Sequence, residues 1–173
     1  MRGNKKNLIS KLKQTGQALE SPYRSPMAVV EKLTPYVRGK KFCELGGACG
    51  DIIFQFKNIA SEICCVERDL DYLEVLNYRN IPTLEGDVLN LKTELKRFEV
   101  FYFWFNRENV KEILTILPKT ATIMFLLMER ELKKGSDIYD EKNDKLIKFE
   151  YNEGKRERQF GKLYLIIKEG DLK

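Results

Sequence analysis

Short apolar segments alternate with amphipathic ones along most of the chain, and this alternation limits the fold more than any other feature of the sequence. A short apolar run is typical of a buried strand, and apolar positions every three or four residues are typical of a helix. The strand-like segments are residues 42–45, 63–66, 83–84, 100–105 and 121–128. The helix-like segments that follow them are residues 50–58, 70–78, 89–98 and 106–117. Strands that alternate with helices predict right-handed crossovers and a parallel sheet.

The pattern changes at both ends of this repeat. An additional helix is predicted from Ser25 and Pro26 to Gly39, before the first strand. After Met128 a charged connector leads to two more strand-like segments, 145–151 and 162–168, which predict a closing antiparallel hairpin. We therefore expect an α/β, Rossmann-like fold with a mostly parallel seven-stranded sheet and flanking helices. Residues 1–20 form a polar, basic N-terminal segment, and residues 21–173 are expected to form one domain.

Composition excludes several classes of chemistry. The chain contains no histidine, so Ser-His-Asp, Cys-His and histidine-metal mechanisms are excluded. Its four cysteines lack paired CxxC spacing, so no structural metal is expected and reduced thiols are favoured, although Cys43 could pair with Cys64 or Cys65. No apolar run reaches the roughly 20 residues of a membrane span, and the first residues lack a signal-peptide core. We expect a cytoplasmic protein that does not enter a membrane.

A glycine-rich loop follows the first predicted strand, in the segment KFCELGGACG. In an open parallel sheet ligands bind beyond the carboxyl ends of the strands, where such a loop lies. Glycines there allow positive φ angles and close approach of a ligand to the backbone. Neither the phosphate-loop pattern nor the dinucleotide fingerprint fits the spacing of Gly46, Gly47 and Gly50. The loop therefore predicts a different ligand.

Acidic residues end three successive predicted strands. They are Glu44, Glu67 and Asp87, and Asp51 adds a further carboxylate close to the glycine loop. Glu67 follows Gly46 by 21 residues, close to the roughly 20 expected of a carboxylate that binds ribose hydroxyls. This negative environment disfavours a pyrophosphate and suits a ligand that carries an ammonium group.

The glycine loop and the three acids, taken in order, resemble the class I S-adenosylmethionine-dependent methyltransferases over roughly residues 21–168. In that family the first loop holds the methionine part of the cofactor, the second acid binds ribose and the third contacts adenine. By this resemblance the residues that bind S-adenosylmethionine are Glu44, Gly46, Gly47, Ala48 and Gly50, then Glu67 and Arg68, then Asp87 and Val88, together with Phe103. Ala48 replaces the middle glycine of the family pattern E-x-G-x-G-x-G.

The methyl acceptor is expected near the end of the fourth strand, in FYFWFN. The [DN]-P-P-[YF] motif of enzymes that methylate DNA amino groups is absent there. The segment SPYRSP is similar to the start of small archaeal protein lysine methyltransferases, and this closer resemblance implies a lysine side chain of a protein substrate. The residues expected near the acceptor are Trp104, Asn106 and Tyr23.

Two alternatives remain open. The basic residues near the N-terminus and around residues 155–162 favour a methyltransferase that acts on RNA or another nucleic acid. A non-catalytic S-adenosylmethionine-binding partner subunit is the second alternative. The sequence predicts neither the oligomeric state nor the number of methyl groups transferred.

Overall fold

Seven strands form one sheet in a computed structural model that describes residues 25–132, 137–149 and 162–170. The strands are β1 (Lys41–Leu45), β2 (Glu62–Glu67), β3 (Thr83–Glu85), β4 (Val100–Phe103), β5 (Thr122–Met128), β6 (Lys145–Phe149) and β7 (Leu163–Lys168). Their order across the sheet is β3-β2-β1-β4-β5-β7-β6. The first five strands pair in parallel, and β7 pairs antiparallel with both β5 and β6. The predicted α/β fold with a C-terminal antiparallel hairpin is confirmed.

Helices connect the strands and cover the sheet. They are α1 (Ala28–Val37), α2 (Asp51–Phe54), α3 (Leu70–Tyr78), α4 (Lys92–Leu95), α5 (Arg107–Ile116) and α6 (Glu129–Leu132), with a 3₁₀ turn at Val88–Asn90. Asp69 caps α3 as its position suggests, because its side chain accepts a hydrogen bond from the amide of Asp71.

The structure differs from the sequence-based expectation at four boundaries. The helix predicted at 50–58 is α-helical only over α2, and turns follow it. The helix predicted at 89–98 is divided into the 3₁₀ turn and α4, because Leu91 between them has a non-helical backbone (φ −107°, ψ 22°). Strand β4 ends at Phe103 rather than at residue 105. The charged connector after Met128 begins as α6.

Both faces of the sheet are buried, which explains why the central strands are apolar without alternation. On one face Phe42, Tyr102 and Met124 pack with residues of α1 and α2. On the other face Leu45 and Phe101 pack with residues of α4 and α5. Each large side chain that is fully buried in this way contributes roughly 1.5–3 kcal/mol to folding. The core therefore fixes the strand ends, and with them the loops that they carry.

Cysteines lie on both faces of this core, and all four are free thiols. Cys43 and Cys64 are opposite each other on β1 and β2, whereas the neighbouring Cys65 packs in the cluster on the other face. None of the helices in the described part of the chain is long and apolar enough to cross a membrane. The N-terminal segment 1–20, Tyr23 and most of the basic cluster near residue 155 lie outside the described residues.

Candidate active site

A crevice runs along the carboxyl ends of the parallel strands and consists of two adjoining cavities. The larger has a volume of about 650 Å³ and reaches from the glycine loop to the ends of β4 and β5. The smaller, of about 350 Å³, lies at the ends of β2 and β3. The residues that line both cavities are Gly46, Glu67, Arg68, Phe105 and Asn109. The predicted acids therefore meet along one continuous crevice.

The glycine loop is shaped as much by internal packing as by space for a ligand. Gly46 has a φ of 66°, and a Cβ at this position would lie 2.6 Å from the ring of Phe105. A Cβ on Gly47 would lie 2.5 Å from the Sγ atom of Cys65. Ala48 also has a left-handed backbone, with a φ of 49°. This conformation explains why the family pattern has a glycine at that position.

Glu44 ends β1 as a buried acid on the wall of the larger cavity. Its side chain is 5% exposed, and its Oε2 atom accepts a hydrogen bond of 3.0 Å from the amide of Ile53. Burial raises the pKa of this carboxyl to about 8, although the hydrogen bond from Ile53 opposes the shift; the charge of Asp51 adds to it. Glu44 therefore holds its proton to a higher pH than an exposed glutamate does.

The carboxylate of Asp51 is paired with a cation, although the sequence suggested that it would add negative charge to the glycine loop. Its carboxylate accepts a hydrogen bond of 2.8 Å from the guanidinium of Arg79, and the two side chains are only 10% and 12% exposed. Arg79 also donates to the main-chain oxygen of Cys49 in the glycine loop. Arg79 therefore fixes the loop to the end of α3. The contact was not predicted, because Arg79 lies 28 residues from Asp51 in the sequence.

Glu67 at the end of β2 connects two loops at the centre of the crevice. Its Oε2 atom accepts a hydrogen bond of 3.0 Å from the amide of Ala48. Its Oε1 atom accepts from the amides of Arg68 and Asp69, at 2.8 and 2.9 Å. The side chain is 8% exposed and lines both cavities. A carboxylate held in this way has its position fixed before any ligand arrives.

Asp87 lies beyond the end of β3, on the wall of the smaller cavity beside Val88. Its Oδ1 atom accepts a hydrogen bond of 3.1 Å from the amide of Leu89 and so caps the 3₁₀ turn. Its Oδ2 atom accepts one of 3.1 Å from the guanidinium of Arg68. Asp87 is thus both a helix cap and a polar group of the crevice wall.

Phe103 does not line either cavity, contrary to its expected contact with the cofactor. Its side chain is fully buried, with its ring stacked on Phe125 at 5.4 Å between centroids. Because β4 ends at this residue, the chain turns into the crevice only afterwards, and Phe105 is the phenylalanine that lines both cavities. The position of the strand boundary therefore decides which aromatic residue reaches the site.

Trp104 and Asn106, which were expected near the acceptor, line the larger cavity. The Oδ1 atom of Asn106 accepts a hydrogen bond of 3.0 Å from the amide of Asn109, so this side chain caps α5. Tyr102, which the sequence analysis did not select, lines the same cavity and donates a hydrogen bond of 2.7 Å to the hydroxyl of Ser25. Burial raises the pKa of Tyr102, so its hydroxyl stays protonated. The one sequence feature that could have indicated Tyr102 is its hydroxyl group within the apolar run VFYFWF.

A second buried acid, Glu131, also lines the larger cavity and was not predicted. It lies in α6, directly after β5. Its Oε2 atom accepts a hydrogen bond of 3.0 Å from the amide of Met128, and its main-chain oxygen accepts one of 2.7 Å from Arg107. Arg107 is itself buried and pairs with Asp137. The rule that selected acids at the other strand ends would have selected Glu129, the first acid after β5, which pairs with Lys162 and does not line the cavity.

No protein-family model matches this sequence, and no curated protein sequence matches it either. Solved structures do resemble it. Precorrin-6y C5,15-methyltransferase from Geobacter metallireducens superposes with a TM-score of 0.63 and 14% identity, covering 87% of this chain and 91% of that one. Ribosomal protein L11 methylase from Lactobacillus delbrueckii gives 0.62 and 12%, with coverage of 90% and 83%. The fold is that of class I methyltransferases.

A third structure shows that this class I methyltransferase fold accompanies different acceptors. An RNA methyltransferase from Salinibacter ruber, in complex with S-adenosyl-L-homocysteine, gives a TM-score of 0.56 and 11% identity, with coverage of 87% and 96%. The three structures are thus named for a precorrin, a ribosomal protein and RNA. Identities this low establish the fold and leave the activity and acceptor of the present chain to be inferred from its own crevice.

Proposed function

We propose that this protein is an S-adenosylmethionine-dependent methyltransferase. The observation that carries the proposal is the crevice that joins Asp87, Glu67 and the glycine loop along three neighbouring strand ends. Asp87 borders the smaller cavity, Glu67 borders both, and the loop borders the larger one. A nucleoside with an attached amino acid has its polar groups in that same order.

The chemical character of these residues fits S-adenosylmethionine. Glu67 is a buried hydrogen-bond acceptor where ribose hydroxyls need one, and Asp87 with Val88 offers an acid and an apolar surface for adenine. Glu44 lies beside the glycine loop, where an ammonium group of the ligand would favour its ionised form. When bound, the cofactor supplies a methyl group on a sulfonium. The protein's contribution is to align an acceptor with that methyl group and to exclude water.

For the acceptor we propose a lysine side chain of a protein. The larger cavity extends past the loop to Tyr102 and Trp104. Tyr102 is almost fully buried, whereas Trp104 is half-buried, so Trp104 is the ring that offers an apolar surface to an aliphatic stem and an attractive face to its cation. The aromatic wall is consistent with the lysine resemblance in the sequence. Direct displacement at a sulfonium needs alignment more than acid or base catalysis, so the absence of histidine is compatible with this reaction.

A nucleic acid is the second candidate acceptor, because a structural neighbour is an RNA methyltransferase. One experiment separates the two. The purified protein is incubated with tritiated S-adenosylmethionine and a cell lysate, and the label is followed after protease or ribonuclease treatment. Label released by protease supports a protein acceptor, and label released by ribonuclease supports RNA.

Calorimetry with S-adenosylmethionine and with S-adenosylhomocysteine tests the cofactor assignment itself. A methyltransferase binds both molecules, since one is its substrate and the other its product. A non-catalytic partner subunit would bind cofactor and transfer no label, and a folded protein that binds neither molecule would refute the proposal.

A further inference from the structure

We propose that Glu131 recognises the acceptor through an ammonium group, at the end of the crevice beside β5. This inference rests on the proposed methyltransferase function and goes beyond it, because it assigns acceptor recognition to a residue outside the cofactor constellation. It also defines the chemical class of the acceptor as an aliphatic primary amine that arrives as its cation and releases one proton to solvent, after which the neutral amine attacks the methyl group and S-adenosylhomocysteine leaves.

The order of the strands places Glu131 on the acceptor side. The residues proposed for adenine, ribose and the amino acid follow β3, β2 and β1, which are neighbours in that order. The next strands are β4 and β5, and Glu131 lies in α6, three residues after the last residue of β5. Neighbouring strands are about 4.8 Å apart, so β5 lies roughly 10 Å from β1. Glu131 is thus displaced from the glycine loop in the direction opposite to Asp87.

Glu131 is a buried acid that accepts a hydrogen bond from the amide before α6 and also lines the larger cavity. The side chain is 7% exposed although it lines a cavity of about 650 Å³. Burying a carboxylate is unfavourable unless it is paired or hydrogen-bonded. The amide of Met128 provides one hydrogen bond to Oε2, whereas a carboxylate has about four acceptor positions. Toward the residues that the structure describes, this carboxylate therefore keeps capacity to accept hydrogen bonds from an incoming donor.

The backbone around Glu131 is rigidly placed. Arg107, which is 6% exposed, donates to the main-chain oxygen of Glu131 and also contacts the carboxylate of Asp137. Arg107 begins α5, which follows β4, so the end of β4 and the start of α6 are fixed relative to each other. A binding group held in this way loses little conformational freedom when a ligand arrives.

The rest of the cavity wall suits an amine on an aliphatic stem. The aromatic rings of Tyr102 and Trp104 line the same cavity as Glu131. A stem that packs against the half-buried ring of Trp104 leaves its methylenes in apolar contact and can bring its ammonium group to an acid in the same cavity. Arg130 also lines the cavity, but its side chain is exposed, so its charge is screened by solvent.

The test uses two analogues of S-adenosylhomocysteine in which nitrogen replaces sulfur and carries a short arm. One arm ends in an ammonium group (2-aminoethyl) and the other in a hydroxyl (2-hydroxyethyl). Calorimetry should show that the wild-type protein binds the ammonium analogue at least tenfold more tightly than the hydroxyl analogue. In Glu131→Gln this preference should fall to less than twofold, while affinity for S-adenosylhomocysteine stays unchanged.

Glu129→Gln is the matched control, since Glu129 lies in the same short helix but pairs with Lys162 and does not line the cavity. It should keep the full preference for the ammonium analogue. The glutamine at position 131 can still accept the hydrogen bond from Met128, so the variant should fold. If it does not, equal affinity of the wild-type protein for the two analogues still overturns the assignment.

The outcomes separate the two proposals. Equal affinity of the wild-type protein for both analogues, or an unchanged preference in Glu131→Gln, would overturn the assignment of Glu131 and leave the methyltransferase function intact. Failure of the wild-type protein to bind S-adenosylhomocysteine would overturn the proposed function instead. Poly-L-lysine as methyl acceptor gives a second readout, with a KM at least tenfold higher in Glu131→Gln and a kcat that changes less.

Discussion

The carboxylate of Glu67 accepts a hydrogen bond of 3.0 Å from the amide of Ala48. The end of β2 thereby holds the glycine loop that follows β1, and the same side chain places a carboxyl group at the centre of the crevice. Replacing either residue should therefore change both the affinity for the ligand and the free energy of unfolding.

Glu67→Ala should weaken binding of S-adenosylmethionine by more than tenfold, or about 1.4 kcal/mol. The variant loses the acceptor proposed for the ribose hydroxyls and also releases the amide of Ala48. Calorimetry measures the affinity. Glu62→Ala is the control, because Glu62 starts the same strand and forms ion pairs with Lys41 and Arg97 away from the crevice. Unchanged affinity in folded Glu67→Ala would refute the ribose assignment.

Ala48→Gly should stabilise the protein by about 0.5–1 kcal/mol. A left-handed backbone costs an alanine roughly 1–2 kcal/mol. Removing this strain gains more free energy than the additional conformational entropy that a glycine loses on folding. The free energy of unfolding in urea measures the change. Ala60 lies in a bend and its backbone is outside the left-handed region, so Ala60→Gly should instead destabilise the protein. A loss of stability in Ala48→Gly would show that the methyl group makes a contact that outweighs the strain.

The stability of the protein without ligand should decrease as the pH rises from about 4.5 towards 8 through the titration of Glu44. The folded state raises the pKa of this carboxyl from 4.5 to about 8, so between these values the native protein holds a proton that the unfolded chain has lost. The contribution of Glu44 to the free energy of unfolding is fully present below pH 4.5 and is lost as the pH passes 8.

Glu44→Gln removes that titration, so its free energy of unfolding should depend less on pH over the same interval. Urea unfolding at a series of pH values provides the comparison with the wild-type protein. Parallel pH profiles of the two proteins would show that Glu44 does not hold its proton in the folded state.

Arg79→Met should destabilise the protein by about 3–5 kcal/mol, because it leaves the buried carboxylate of Asp51 without its charged partner. The double variant Asp51→Asn with Arg79→Met should cost less than the sum of the two single changes, since the two side chains form one ion pair. A double-mutant cycle in urea measures this coupling. Strictly additive effects would mean that the pair contributes no interaction energy.

The parts of the site that depend on strand ends were accessible from the sequence. Glu44, Glu67 and Asp87 could be placed because the carboxyl ends of parallel strands lie along one edge of the sheet. Phe103 was assigned to the cofactor site through the family resemblance, but it is a buried residue of β4 that lines neither cavity. A run of aromatic residues carries no signal for where pairing stops, and that boundary decides which side chain faces the core.

Other contacts depend on pairing between segments that are distant in sequence. Arg79 pairs with Asp51 across 28 residues, and Arg107 contacts the main chain of Glu131 across 24. Neither contact has a local spacing that a periodic pattern could detect. The division of the helix predicted at 89–98 has a different cause, since the cap formed by Asp87 starts a tight 3₁₀ turn that α-helical periodicity does not anticipate.

The ring of Phe105 rests against Gly46 and borders both chambers of the crevice. Any molecule long enough to occupy both cavities has to pass this ring, so the position of the ring sets the width of the passage between them. The speed at which such a molecule enters and leaves would then depend on an apolar side chain, while the acids on either side determine how long it stays.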